Sequence, residues 1–404
     1  MSSDWLVTTL GNFVRLQRGH DLTASEQEPG NVPIMGSAGQ NGTHNKALAS
    51  GPGVVVGRSG ASAGRVHFSE ADYWPHNTCL YVTDFLGNNP RFAYYLLQTL
   101  DLASFNSGSA QPSLNRNFLY TIPLKIPPRC EQDAIAELLK ALDDRIALLR
   151  ETNATLEAIV QALFKSWFVD FDPIRAKIEG RTPEGMDEAV AALFPDGFEE
   201  SEVGAVPRGW RVDSVYSAAQ LIYGAPFASK QFNSIGVGKP LIRIRDLRDE
   251  SPGVFTPEVH PKGYLVQPGD IVVGMDGEFR SYLWGGEEAW LNQRVCVFVP
   301  KPGFSAAFVH RSIMPLLAAV EESETATTVI HLGKNDIDRF RILIPDERVL
   351  AAFHSVTDGL YRRIVKSKQC ARTLSTLRDT LLPRLISGQL RIPEAEAQFD
   401  ALAA

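Results

Sequence analysis

Gly57-Arg58-Ser59-Gly60-Ala61-Ser62-Ala63-Gly64-Arg65 places two arginines and two serines among three glycines, directly after a β-rich run. Glycine lets another backbone come close, and Arg and Ser donors suit phosphate oxygens or base edges, so the chemistry on offer is recognition of nucleic acid. Read alone, the same stretch is equally an ordinary hairpin with solvated arginines. The corresponding stretch downstream, Met275-Asp276-Gly277-Glu278-Phe279-Arg280, carries different polar residues. Further polar clusters hold Lys46, Gln111, Asn115 and Arg116 in the first half, and Arg243, Arg245, Tyr282 and Asn292-Gln293-Arg294 in the second. Together with Arg58, Ser59, Arg65 and Arg280 these are the candidate DNA-binding residues. Arg, Lys, Asn and Gln are the side chains that read guanine and adenine edges or hold the phosphate backbone.

Catalytic constellations are missing by comparison. Asp270 followed by Glu278-Phe279-Arg280 resembles the Asp…Glu-x-Lys pair that holds Mg²⁺ in many nucleases. Arginine stands where lysine is needed, and the corresponding first-half positions are Val54 and Ser62, so a metal site is not expected. A phosphate-cradling loop is absent too, since Gly236-Val237-Gly238-Lys239 runs into Pro240. An amino-methyltransferase needs an Asn/Asp-Pro-Pro-aromatic tetrapeptide beside a Gly-rich cofactor loop, and Pro127-Pro128 lacks both flanks. Serines, histidines and carboxylates form no recognisable nucleophile motif. The chain is expected to be non-catalytic, with no cofactor or metal of its own.

The elements that must position these loops follow from composition and repetition. A chain of 404 residues has room for roughly two to four domains. Hydrophobic residues make up 44% and charged residues 22%, and no apolar run approaches the ~20 residues of a membrane span. With no export signal at the N-terminus, a soluble, cytoplasmic protein is expected. Cys79, Cys130, Cys296 and Cys370 lie far apart and read as four buried thiols. The net charge of −7 is unevenly placed. Residues 1–128 carry 8 basic and 8 acidic side chains, 207–345 carry 15 and 15, 346–404 carry 9 and 7, and 129–206 carry 8 and 17. The acidity sits in one connecting stretch, and the two neutral blocks stay free to present basic faces.

An internal repeat organises these segments. Gly51–Gly57 parallels Gln267–Gly274 at an offset of 216, His76–Val82 parallels Leu291–Val299, and Leu114–Pro128 parallels Leu332–Asp346 at an offset of 218. Each copy reads as short β-rich runs with one short helix, near 90–102 or 304–320, closed by a strand at 122–126 or 341–344. The expected fold class is α+β: two repeated α/β recognition domains, 1–128 and 207–345, separated by two long antiparallel helices that form a coiled coil with pseudo-two-fold symmetry. Residues 129–206 form the central helical spacer and a surface connector with one short helix. Residues 346–404 form the C-terminal helical spacer and a tail expected to fray.

Apolar residues in 131–168 follow the 4-3 spacing of a coiled-coil seam broken only at Asn153, and 347–387 keeps the register with Thr357, Ser367 and Ala371 between apolar positions. In a matched antiparallel pair, partner numbers sum to 520, which sets Trp167 against Phe353 and Asn153 against Ser367. Asn153 and Ser367 are therefore the expected register pair, an amide satisfied beside a hydroxyl.

The helix ends carry a resemblance. Leu163-Phe164-Lys165-Ser166-Trp167-Phe168-Val169-Asp170-Phe171-Asp172-Pro173 resembles the central spacer of specificity subunits of Type I restriction-modification enzymes, and Leu381-Leu382-Pro383-Arg384-Leu385-Ile386-Ser387-Gly388 resembles their C-terminal one. The likeness covers nearly the whole chain. It implies a subunit without catalysis of its own that reads a bipartite site in double-stranded DNA, one half per target recognition domain. It also implies docking of two adenine-specific modification subunits and of ATP-dependent restriction subunits, with S-adenosylmethionine, ATP and Mg²⁺ confined to those partners. A helical run of about 33 residues spans ~50 Å, more than one ~34 Å turn of DNA. The alternatives are a DNA-free coiled-coil scaffold that binds proteins, and a metal-dependent nuclease built on Asp270 and Glu278.

Overall fold

The computed structural model describes residues 5–105, 113–201, 204–323 and 330–403, with side chains described as far as residue 397. Two compact units divide the chain: Met1–Arg145 with Thr373–Ala404, and Ile146–Arg372. The division runs through both long helices, so the helical stretches are shared between units rather than set apart as domains of their own.

In the first unit the strands are β1 (Leu6–Thr9), β2 (Arg15–Arg18), β3 (Val32–Gly36), β4 (Gly39–His44), β5 (Gly53–Gly57), β6 (Val66–Ser69), β7 (Trp74–Pro75), β8 (Cys79–Asp84) and β9 (Pro123–Ile126). They form an antiparallel sheet ordered β2-β8-β5-β6, a sheet ordered β4-β3-β7 whose β3–β7 pair is parallel, and the antiparallel pair β1–β9. β5 is central because Val54, Val55 and Val56 are apolar on both faces and wholly buried. Helix α1 (Pro90–Gln98) starts where Asn89 accepts from the N–H groups of Arg91 and Phe92 with Pro90 in the first turn. It buries Phe92, Ala93, Leu96 and Leu97. Then comes the long helix α2 (Arg129–Phe168).

The second unit repeats this plan. After helix α3 (Asp172–Ile178) come β10 (Phe198–Ser201), β11 (Gly204–Pro207), β12 (Arg211–Ser214), β13 (Ala219–Tyr223), β14 (Lys239–Ile242), β15 (Phe255–Thr256), β16 (Leu265–Val266), β17 (Ile271–Gly274), β18 (Ser281–Leu283), β19 (Ala289–Leu291) and β20 (Val295–Pro300). Helix α4 (Ala306–Ser323), β21 (Arg341–Ile344), the long helix α5 (Glu347–Ile386) and helix α6 (Ile392–Ala403) follow. The order β13-β20-β17-β18 reproduces β2-β8-β5-β6, and β12–β21 reproduces β1–β9. The sheet β15-β14-β19 reproduces β4-β3-β7 down to its parallel pair β14–β19, with β16 added at the edge. The repeat read from sequence offsets is thus a repeat of topology.

Within each unit the long helices run antiparallel. In the first, Arg378 on α5 donates to Asp143 on α2 at 2.7 Å. In the second, the rings of Trp167 and Phe353 lie 5.5 Å apart, as matched ends require. Asn153 and Ser367 are both buried, but the expected amide–hydroxyl bond is not formed. The Asn153 amide donates instead to the main-chain carbonyl of Ile364 at 3.3 Å, and Asn153 Oδ1 and Ser367 Oγ find no partner among the described residues. The Ile364 carbonyl lies about one helical turn before Ser367 on the facing helix, so the amide meets the main chain there in place of the hydroxyl. Because the substitution removes the buried, unpartnered Asn153 Oδ1 and adds apolar surface to the seam, Asn153→Leu is expected to keep the fold and to raise stability by about 1 kcal/mol in chemical denaturation. A fall of that size would mean that the Ile364 bond outweighs the orphaned Asn153 oxygen.

Three further expectations are corrected. The connector is not merely a surface loop: besides α3 it forms the β10–β11 hairpin, and Ile174, Phe194 and Val206 are buried. Its aromatic residues pack on Trp167 and Trp210, which supplies the apolar partner that sequence spacing alone did not reveal. The tail does not simply fray, since Ile392–Ala403 is helical, with Leu390 and Ala395 buried and Arg391 paired with Glu131. Of the four cysteines, Cys79 and Cys296 are buried thiols, whose burial pushes each up to about 12, whereas Cys130 and Cys370 are exposed on the long helices. No described helix is long and apolar enough to cross a membrane.

Candidate nucleic-acid interface

In each unit, distant loops cross at one end of the four-stranded sheet. In the first, the Arg58 N–H donates to the Thr78 carbonyl at 2.8 Å and the Leu114 N–H to the Arg58 carbonyl at 2.9 Å. In the second, the Met275 N–H donates to the Arg294 carbonyl at 3.0 Å and the Leu332 N–H to the Met275 carbonyl at 2.8 Å. A fourth strand end joins them in the same way, Gly19 to Cys79 and Gly224 to Val295, each N–H to carbonyl distance being 3.0 Å. Glycine is required there because a Cβ on Gly19 would collide with the His76 carbonyl, and one on Gly224 with that of Asn292. Identical backbone crossings therefore present non-identical side chains. Arg58, Ser59, Thr78 and Ser113 meet in one unit, and Met275, Asp276, Arg294 and His331 in the other.

These crossings bring together only part of the expected residues. Arg58 and Ser59 are half-buried, and Ser59 bridges to Ser113, while Arg65 is exposed at the far end of the same turn. Lys46 is exposed on a separate shallow groove beside Asp21, Glu26 and Glu28. Gln111 lies outside the described residues. Asn115 caps the turn Arg116–Leu119 by accepting from the Asn117 N–H at 3.0 Å, and Arg116 donates to the Leu16 carbonyl at 3.1 Å. In the second unit Arg294 and Gln293 are exposed and Asn292 half-buried at the crossing, and Arg280 pairs with Glu278 at 3.0 Å on the adjoining turn. Arg243 is held by Asp246 at 2.9 Å next to an exposed Arg245. Tyr282 packs on the core of β17 and β19, and burial pushes its hydroxyl up. Asp276 and His331 were missed by sequence reasoning. The offset of 218 that pairs Leu114 with Leu332 also pairs Ser113 with His331, and was the available signal.

The nuclease-like pair falls apart. Asp270 closes a turn, accepting from the Gln267 N–H at 2.8 Å and from the Tyr264 hydroxyl at 3.0 Å, and burial raises its carboxyl above the usual range. Glu278 lies beyond the other end of β17. Among the described residues, His, Cys, Asp and Glu form no cluster suited to a metal.

Within each unit the α/β part is tied to the long helices by polar contacts. Tyr95 on α1 donates to Asp143 on α2 at 2.6 Å, the same carboxylate that takes Arg378. In the second unit His310 on α4 lies 3.0 Å from both the Tyr361 hydroxyl on α5 and the Ser281 hydroxyl on β18. Burial drives this imidazole down to about 3, so it stays neutral and can donate from one nitrogen while accepting at the other. Glu250, buried and in a left-handed backbone conformation, takes Lys368 on α5 at 2.7 Å and the Gly285 N–H at 3.0 Å. The strand that returns from the Met275–Arg280 turn is thereby fixed to the helix.

Residues 2–158 match the family model described as the Type I restriction modification DNA specificity domain. The chain is 25% identical over 369 residues to the Type I restriction enzyme HindI specificity subunit of Haemophilus influenzae, covering 74% of this chain and 77% of that protein. It is 25% identical over 318 residues to the MjaIX specificity subunit of Methanocaldococcus jannaschii, covering 75% and 69%. A shorter match, 30% identical over 189 residues, is to the EcoBI specificity subunit of Escherichia coli, covering 45% of this chain and 39% of that one. The fold is shared with the S subunit of a Type I restriction-modification system from M. genitalium, with a TM-score of 0.62 at 16% identity over 95% of this chain and 96% of that one. Residues 2–158 thus match a Type I restriction modification DNA specificity domain, and the chain as a whole is similar to Type I restriction enzyme specificity subunits.

Proposed function

We propose that this chain is the non-catalytic DNA-reading subunit of a Type I restriction-modification complex, each loop crossing reading one half of a bipartite duplex site. The observation that carries this reading is the duplicated crossing: one backbone geometry, two different polar sets. A reader of two different half-sites needs that combination, since the scaffold must present a fixed surface while the side chains specify. The acidic excess of residues 129–206 is carried mostly by the connector 169–206, which repels the DNA backbone, and the paired long helices beside it are the surface proposed for protein partners. Two modification subunits and restriction subunits are the partners proposed there, carrying the S-adenosylmethionine, ATP and Mg²⁺ chemistry.

Duplex binding by the full chain, measured against salt, tests the reading. Steep salt dependence is expected, and Arg58→Ala and Arg294→Ala should each cost about 1–3 kcal/mol at one position of the site. A uniform loss over all sequences with a shallower salt slope would make these arginines phosphate contacts instead. Salt-independent or absent binding would leave a protein scaffold.

A further inference from the structure

We propose that Asp276, Arg294 and His331 form the base-reading centre of the second unit and select one G·C pair in its half-site, Arg294 taking the guanine edge and Asp276 the cytosine amino group. This rests on the DNA-reading function proposed above. The three residues come from loops far apart in sequence, and the backbone bonds through Met275 hold them together. Asp276 and His331 also form a main-chain bridge.

The side chains are poised without being consumed. His331 Nδ1 lies 2.6 Å from Asp276 Oδ1, so the ring N–H donates to the carboxylate and fixes its plane. Asp276 Oδ2 then faces Arg294 Nε at 3.6 Å, an ion pair too long to be a hydrogen bond. The second guanidinium contact, 3.4 Å to His331 Nδ1, meets a nitrogen whose proton is already given to Asp276 and which cannot accept. Among the described residues Arg294 has no other partner, and its side chain is 56% exposed. Arg243, by contrast, spends its fork on Asp246.

An open donor fork beside a held acceptor matches one edge pattern. In the major groove a G·C pair offers two adjacent acceptors on guanine and then the cytosine amino donor, whereas adenine offers a single acceptor before its amino group, so the fork loses a bond there. A phosphate is a poor ligand for the same place, because the carboxylate repels it. The equivalent trio of the first unit is Ser59, Thr78 and Ser113, hydroxyls throughout, so the two units read different bases at corresponding positions.

The test is selection from a pool of randomised duplexes by the tagged full chain, purified from its own cells with whatever subunits stay bound. Wild type should enrich a bipartite motif, and Asp276→Asn should weaken the preference for G·C at one position of one half-site by about ten-fold. Arg294→Ala should act at that same position, and an unaltered other half-site certifies that the variants are folded. An unchanged motif with Asp276→Asn, or an even loss over all positions, overturns the assignment while leaving the DNA-reading function standing. A wild-type chain that enriches no sequence overturns both.

Discussion

Replacing residues 1–128 with the corresponding block of another specificity subunit should change one half of the methylated motif completely and leave the other half untouched. The block has its own core around β5 and its own loop crossing, so base-reading side chains travel with it. Its seat on the helices is a short set of polar contacts. Trp5 donates to Glu131 at 3.1 Å, the Asn89 N–H to Gln132 at 3.0 Å, Asn89 to Asp133 at 2.6 Å, and Tyr95 to Asp143 at 2.6 Å. A chimera that keeps Trp5, Asn89 and Tyr95 should therefore dock as the parent does. Methylome sequencing of cells carrying the chimera reads the result directly. A change in both halves would mean that the two blocks do not read independently.

Phe168→Ala should cost about 3–5 kcal/mol in unfolding free energy, the largest effect expected of a single substitution outside the loops. The Phe168 ring lies 4.9 Å from Phe353, 5.2 Å from Phe164, 5.3 Å from Phe308 and 5.9 Å from Trp210. It thus joins the end of α2, the start of α5, the helix α4 and the first strand region of the second α/β block in one aromatic cluster. Removing it leaves a cavity lined by rigid rings that cannot collapse, which is where large-to-small losses are greatest. Phe118→Ala is the matched control, since that ring is 52% exposed and should change stability by no more than about 0.5 kcal/mol. Urea denaturation of both variants decides the matter: equal effects would mean that the cluster does not hold the unit together.

This cluster also gives physical content to the spacer resemblance. Phe164, Trp167 and Phe168 pack inward, Phe171 turns the chain in a left-handed conformation with its ring against Phe198 and Trp210, and Asp172-Pro173 starts the next helix. Such a string of aromatic residues ending in a helix start is legible in sequence because its constraints are local. The length and register of the long helices were legible for the same reason, since a seam repeats every few residues and announces its own partner spacing.

The α+β class, the duplication, the helix pair and the place of the loops follow from periodicity and from residues matched at offsets of 216–218, which are properties of the chain read in order. What those loops can do was decided only in three dimensions. Whether an arginine is free to meet DNA depends on which carbonyl or carboxylate happens to face it. Arg116 is spent on Leu16 and Arg243 on Asp246, while Arg294 stays open beside Asp276 and His331. Those partners lie as few as 3 and as many as 100 residues away, with no period to mark them. Hydrogen-bond competition is short-ranged in space and blind to sequence order, so only the tertiary structure could settle it.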